Sequence, residues 1–226
     1  MLCGSVVRDE DTPFSDLDLV IIFDELDYAY RESLVYEGWP VEAFVPTLET
    51  IAYFFEELDG PSGCPSLPNM AKEGLAIPID QQPADRSETI IAEVKRRAAE
   101  VISQGPSPLS PQELRQRRYE LTDFLDDLRA PRNAYEARAT GTYLYQRLAD
   151  FWFRSQGLWS TKGKNIPKAL YAADESFATQ FIAAFDNVFI EGKTDQIITL
   201  TEKVLEPFGG TLLEGYRLDA PKEWKK

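Results

Sequence analysis

Three short patches near the start of the chain carry the residue types that phosphoryl chemistry uses. Gly4-Ser5 follows an apolar stub, Met1-Leu2-Cys3. Asp16 and Asp18 open an apolar, β-branched run (SDLDLVIIF), and Glu42 stands inside a second one, VEAFV. A strand has a period of two, so Asp16 and Asp18 fall side by side on one face. Glu42 joins them if VEAFV pairs alongside. Three clustered carboxylates repel one another in a partly desolvated cleft and are tolerated mainly when a cation neutralises them. A pair of magnesium ions on such a cluster is the standard means of stabilising in-line phosphoryl displacement. The Gly-Ser step suits the other half of that chemistry. Glycine lets the backbone approach a phosphate chain, and a serine hydroxyl with amide groups at a helix start offers it donors.

Composition narrows the choice. The 226 residues include no histidine, which removes Ser-His-Asp triads, HExxH zinc sites, histidine general bases and histidine-dependent ribonucleases together. The remaining carboxylates favour hard cations such as magnesium over zinc. With 24 Lys and Arg against 38 Asp and Glu, the net charge of −14 repels phosphate backbones, so neither general nucleic-acid binding nor an anionic membrane surface is expected. Apolar residues at 43 % and aromatics at 12 % are enough for a packed core. Cys3 and Cys64 form no CxxC pair and read as reduced thiols of a cytoplasmic protein. No signal peptide fits before Gly4, and no apolar run approaches the roughly 20 residues that cross a bilayer.

Stepping along the chain, the patches need a sheet to hold them, and the pattern predicts an α+β fold. Strands are expected at Asp16–Phe23, Val41–Val45 and Gly74–Ile79. Helices are expected at Glu25–Tyr36, closed by a Gly38–Pro40 turn, and at Pro46–Leu58. Past residue 80 the signal is helical: Ser87–Ser103, then the breaker GPSPLSP, then a helix announced by Ser110 and Glu113 as a capping box with Pro111 at its first position. Further helices follow at about Arg132–Gln156, with Gly157 as its stop, at Ser176–Ile190 and at Thr194–Leu205. The expected domains are 1–80, a connecting helix and Pro-rich linker at 81–109, and an all-α helical bundle at 110–226.

GSVVRDEDTPFSDLDLVII resembles the hG[GS]…Dh[DE]h signature of the DNA-polymerase-β-like nucleotidyltransferase superfamily, with Glu42 in the place of its third acidic residue. A small acidic domain followed by a helical bundle is similar to aminoglycoside nucleotidyltransferases and to the minimal nucleotidyltransferases of bacteria. The resemblance covers residues 2 to about 80 by motif and is only architectural beyond. It implies a nucleotidyltransferase-type mixed sheet and transfer of a nucleoside monophosphate from ATP or another nucleoside triphosphate to a hydroxyl acceptor. By carry-over, Gly4 and Ser5 hold the triphosphate, and Asp16, Asp18 and Glu42 are the catalytic residues that bind two Mg2+ ions. Asp16 and Asp18 serve both ions. Glu42 serves the catalytic one and orients or deprotonates the acceptor hydroxyl. Two departures stand out. The family pattern places a helix and most of a strand before Gly-Ser, so the first domain is expected to lack them. Asp9 stands where the family commonly has glycine, which bears on the turn rather than the chemistry.

Each patch has a plainer reading. Asp16-x-Asp18 alone suits a solvated strand edge. An EF-hand is excluded, because Val20 and Ile21 occupy the fifth and sixth loop positions, which need an oxygen ligand and glycine. Glu42 alone suits the wet side of an edge strand. GLWSTKGK (157–164) does not fit GxxxxGK[ST]. It reads either as an inter-helix turn with solvated lysines or as a loop that brings Lys164 to the triphosphate. Arg115, Arg117 and Arg118 read as a solvated helix face. The leading expectation is a magnesium-dependent nucleotidyltransferase with a small hydroxylated acceptor, and a homodimer is compatible with it. Two alternatives stay open: an antitoxin-like regulator that nucleotidylates or masks a helical protein partner, and a truncated, inactive remnant.

Overall fold

The computed structural model describes residues 1–77 and 84–220. The chain divides into two compact units, Met1–Ser107 and Pro108–Lys226, with the division inside the Pro-rich breaker.

The first unit is built on a four-stranded mixed sheet of β1 (Leu2–Cys3), β2 (Leu17–Val20), β3 (Tyr30–Tyr36) and β4 (Trp39–Val45), in the order β1-β2-β4-β3. β2 and β4 run parallel, and the outer pairs are antiparallel. Alternation along β4 buries Val41, Ala43 and Val45 and leaves Glu42 and Phe44 on the other face. The helices α1 (Leu48–Tyr53), α2 (Gly60–Ser62), α3 (Ser66–Glu73) and α4 (Ala84–Gln104) follow, with a π-helical stretch at Phe54–Asp59. They contribute Ile51, Phe55, Ala71, Val94 and Ala98 as fully buried core. α4 packs on α3 and α1, inside this unit.

The second unit is all helix: α5 (Pro111–Arg129), α6 (Ala134–Ser155), α7 (Ile166–Ala173), α8 (Glu175–Asp186) and α9 (Asp195–Leu205). α5 begins on the predicted capping box, with Ser110 and Glu113 bonded reciprocally. α6 begins on Asn133, whose side chain accepts from the amides of Tyr135 and Glu136. Leu121, Leu125 and Leu128 of α5 meet Leu144, Leu148 and Phe151 of α6, and Phe181, Phe185, Ile197 and Leu205 complete one continuous core. Trp152 stacks on Phe177 with ring centroids 4.4 Å apart. Among the described residues no helix is long and apolar enough to cross a membrane.

The α+β class and the β2 and β4 strands agree with the sequence reading, and the largest departure from it lies between them. Residues 25–36 do not form a helix: Tyr30–Tyr36 is a strand, paired antiparallel to β4 from Tyr30↔Val45 to Tyr36↔Trp39. The reason lies in the two residues between them. Glu37 (φ 48°) and Gly38 (φ 88°) both take left-handed backbone, as a two-residue type I′ hairpin turn requires. Three further differences are smaller. The helix expected over Pro46–Leu58 starts at Leu48 and passes into π geometry at Phe54. Of the strand expected at Gly74–Ile79, Leu75 makes an isolated bridge with Leu2, and Pro78 and Ile79 lie outside the described residues. α3 and α7 are helices that the sequence pattern did not announce.

Candidate active site

The parallel pairing of β2 with β4 assembles the acidic patch. Their register sets Asp18 directly beside Glu42, and Asp16 lies two residues before Asp18 on the same face. One ligand oxygen from each of Asp16, Asp18 and Glu42 lies within 4.8 Å of the others, and all three side chains are half-buried. On the other side of β2, Cys3 of β1 is the register partner of Asp18. The chain then turns at Gly4, which takes φ +78°. A Cβ on Gly4 would lie 1.9 Å from Oδ2 of Asp18, so glycine is required there for its backbone and for the space the carboxylate occupies.

Ser5 follows in the same turn and opens a 3-10 turn, Val6–Arg8. Its carbonyl accepts from the amides of Arg8 (3.1 Å) and Glu10 (3.0 Å), while its hydroxyl makes no capping bond. Asp9 ends that turn in left-handed backbone, φ 55°. Aspartate is among the few residues besides glycine that tolerate this conformation. Gly4, Asp16, Asp18 and Glu42 are therefore brought together, with Ser5 next in the chain. Lys164 belongs to the second unit, in the exposed 3-10 turn Gly163–Asn165.

The charges of the site are unevenly compensated. Burial, then the neighbouring Asp16 and Glu42, push the Asp18 carboxyl above its usual range, while Arg31 and Arg8 pull the other way. Glu42 is ion-paired to Arg31 of β3, whose guanidinium also lies 5.0 Å from the centre of the Phe44 ring. Arg8 is held by Glu10 at 2.9 Å and by Glu73. Sequence reading missed Arg31 because it placed the residue on a helix. The available signal was the E-G dipeptide between two strand-like runs, YRESLVY and WPVEAFV.

Three hard oxygen donors, half-exposed and mutually repulsive, match the ligand chemistry of Mg2+. An apolar cavity of about 430 Å3 in the first unit, lined by Leu19, Ile21, Phe23, Ile77, Ile90 and Ile91 among others, shares no residue with them. Alternation puts Leu19 on the opposite face of β2 from Asp18.

The raised Asp18 value makes a pH prediction for metal-free protein. A carboxyl whose folded pKa exceeds its unfolded one contributes stability that is fully present below the ordinary value, 3.8, and is lost as pH rises through the folded value. Chemical denaturation in chelator across the acid range should therefore show wild type losing stability relative to Asp18→Asn as pH rises. Parallel pH profiles for the two proteins would contradict the assignment.

Comparison with protein families matches residues 1–61 to the nucleotidyltransferase domain. The matched span contains Gly4, Ser5, Asp16, Asp18, Glu42 and Arg31 and ends before α3. No curated protein matches the chain.

Proposed function

We propose that this chain is a magnesium-dependent nucleotidyltransferase that moves a nucleoside monophosphate from ATP or another nucleoside triphosphate to a hydroxyl of a small-molecule acceptor. The observation that carries this reading is the convergence of the three carboxylates within 4.8 Å, against a glycine turn, inside a span that matches the nucleotidyltransferase domain.

In the reaction, the acceptor oxygen bonds to the α-phosphorus, the bond from that phosphorus to the α–β bridging oxygen breaks, and pyrophosphate leaves. Asp16, Asp18 and Glu42 would hold the metal, which when bound supplies Lewis-acid polarisation and charge neutralisation to the triphosphate. The chain's own contributions follow from its geometry. Gly4 keeps the backbone clear of the Asp18 carboxylate and open to a phosphate. Ser5 offers a hydroxyl that makes no capping bond in its turn as a donor. Glu42 is the carboxylate suited to orienting the acceptor hydroxyl and taking its proton.

The test is pyrophosphate release from ATP across a panel of hydroxylated acceptors, with and without Mg2+, comparing wild type with Asp16→Asn. Release should need both metal and acceptor and should fall in the variant by about 10²-fold or more. Equal release by both proteins would remove Asp16 from the chemistry.

A further inference from the structure

One of the three carboxylates already has a cation. Among the described residues Glu42 is the member of the triad with an ion-pair partner, the guanidinium of Arg31. The pairing is diagonal. In the β3–β4 register Arg31 faces Phe44, and it is Ser33 that faces Glu42. Arg31 therefore leans along the sheet by two register positions, its guanidinium 5.0 Å from the Phe44 ring centre, to reach Glu42. The Arg31 side chain is 56 % exposed and that of Glu42 28 %. A pair this open contributes little to folding, so its main effect falls on the site. The guanidinium presents a planar donor set that suits a carboxylate.

We infer that Arg31 is an internal counter-ion: it holds Glu42 in place of a divalent metal and must release that carboxylate before the metal site is complete. This rests on the metal-site reading above and adds a positioning residue to it. With Arg31 in place, the metal-free site carries a net charge one unit less negative, and Glu42 is fixed in one orientation instead of being driven away by Asp18. The same contact competes with metal loading. Its side-chain exposure and its separate support on Phe44 let Arg31 leave Glu42 without disturbing the strand pairing.

The experiment is Mn2+ binding to the full chain without nucleotide, followed by electron paramagnetic resonance of the free ion. Wild type, Arg31→Gln, Arg31→Lys and Asp18→Asn are compared, with circular dichroism confirming the fold of each. Arg31→Gln should bind Mn2+ about fivefold more tightly than wild type, the upper end of what an exposed pair withholds. Arg31→Lys, which keeps the charge, should stay nearer to wild type than Arg31→Gln does, and Asp18→Asn should lose the site. Mn2+ bound by wild type, lost in Asp18→Asn but unchanged or weakened in Arg31→Gln would overturn the role of Arg31 and leave the metal site standing. Equal gains in Arg31→Gln and Arg31→Lys would also overturn it, because charge would not be the cause. No Mn2+ binding by either wild type or Arg31→Gln would overturn both readings together.

Discussion

Asp18→Asn is expected to lower metal-dependent pyrophosphate release by about 10³-fold and, in the same protein, to raise the melting midpoint measured in chelator. The two effects have one cause. Asp18 lies beside Glu42 in the β2–β4 register and two residues after Asp16, and its carboxylate fills the space that the missing Cβ of Gly4 leaves. Asparagine keeps the shape and removes the charge. The site then loses one of its three anionic ligands. The metal-free fold loses the repulsion that, with burial, holds the Asp18 carboxyl above its usual range. A site assembled for catalysis is thereby separated from a surface acid that merely faces water, whose removal would change neither quantity. Pyrophosphate assays and thermal melts on the same preparation measure both, and a lower midpoint or an unchanged rate would contradict the account.

Gly4→Ala is expected to cost about 10²-fold in activity, the scale of an ångström-sized misplacement at a reacting centre, together with about 1–2 kcal/mol of stability from left-handed backbone. Gly38→Ala separates the two contributions. Gly38 has a similar φ, +88° against +78°, but nothing lies within 4 Å of the Cβ it would gain, whereas the Cβ at Gly4 would overlap Oδ2 of Asp18. Both variants should melt earlier by a comparable amount, and only Gly4→Ala should lose activity. If Gly38→Ala lost activity equally, backbone strain alone would explain the result and the close approach to Asp18 would have no functional weight.

The reach of the sequence can be judged element by element. Ser110, Pro111 and Glu113 announce the start of α5, and the structure places the helix there with both capping bonds made. Such a signal is readable because its partners are three residues apart and need no tertiary context. The alternation of SDLDLV is equally local, so the shared face of Asp16 and Asp18 follows from strand periodicity. Residues 30–36 were misread for the converse reason. YRESLVY is compatible with a helix by itself, and becomes a strand because Glu37 and Gly38 fold it back onto WPVEAFV, where pairing along all seven residues decides the matter. The pair Arg31–Glu42 was hidden by the same error, since a diagonal contact exists only once a register does.

The sequence alone determined that no histidine is available for acid–base work or metal binding, and that two carboxylates, Asp16 and Asp18, fall on one strand face near a Gly-Ser step. Only the tertiary structure decided that Glu42 completes the group, that Asp18 occupies the space glycine leaves at position 4, and that Arg31 neutralises the third acid. The physical reason is range. Periodicity, caps and charge are properties of a few neighbouring residues, whereas the convergence of these acids depends on the parallel register of β2 and β4. That register goes with the burial of Val41, Ala43 and Val45 on one face of β4, which leaves Glu42 on the other.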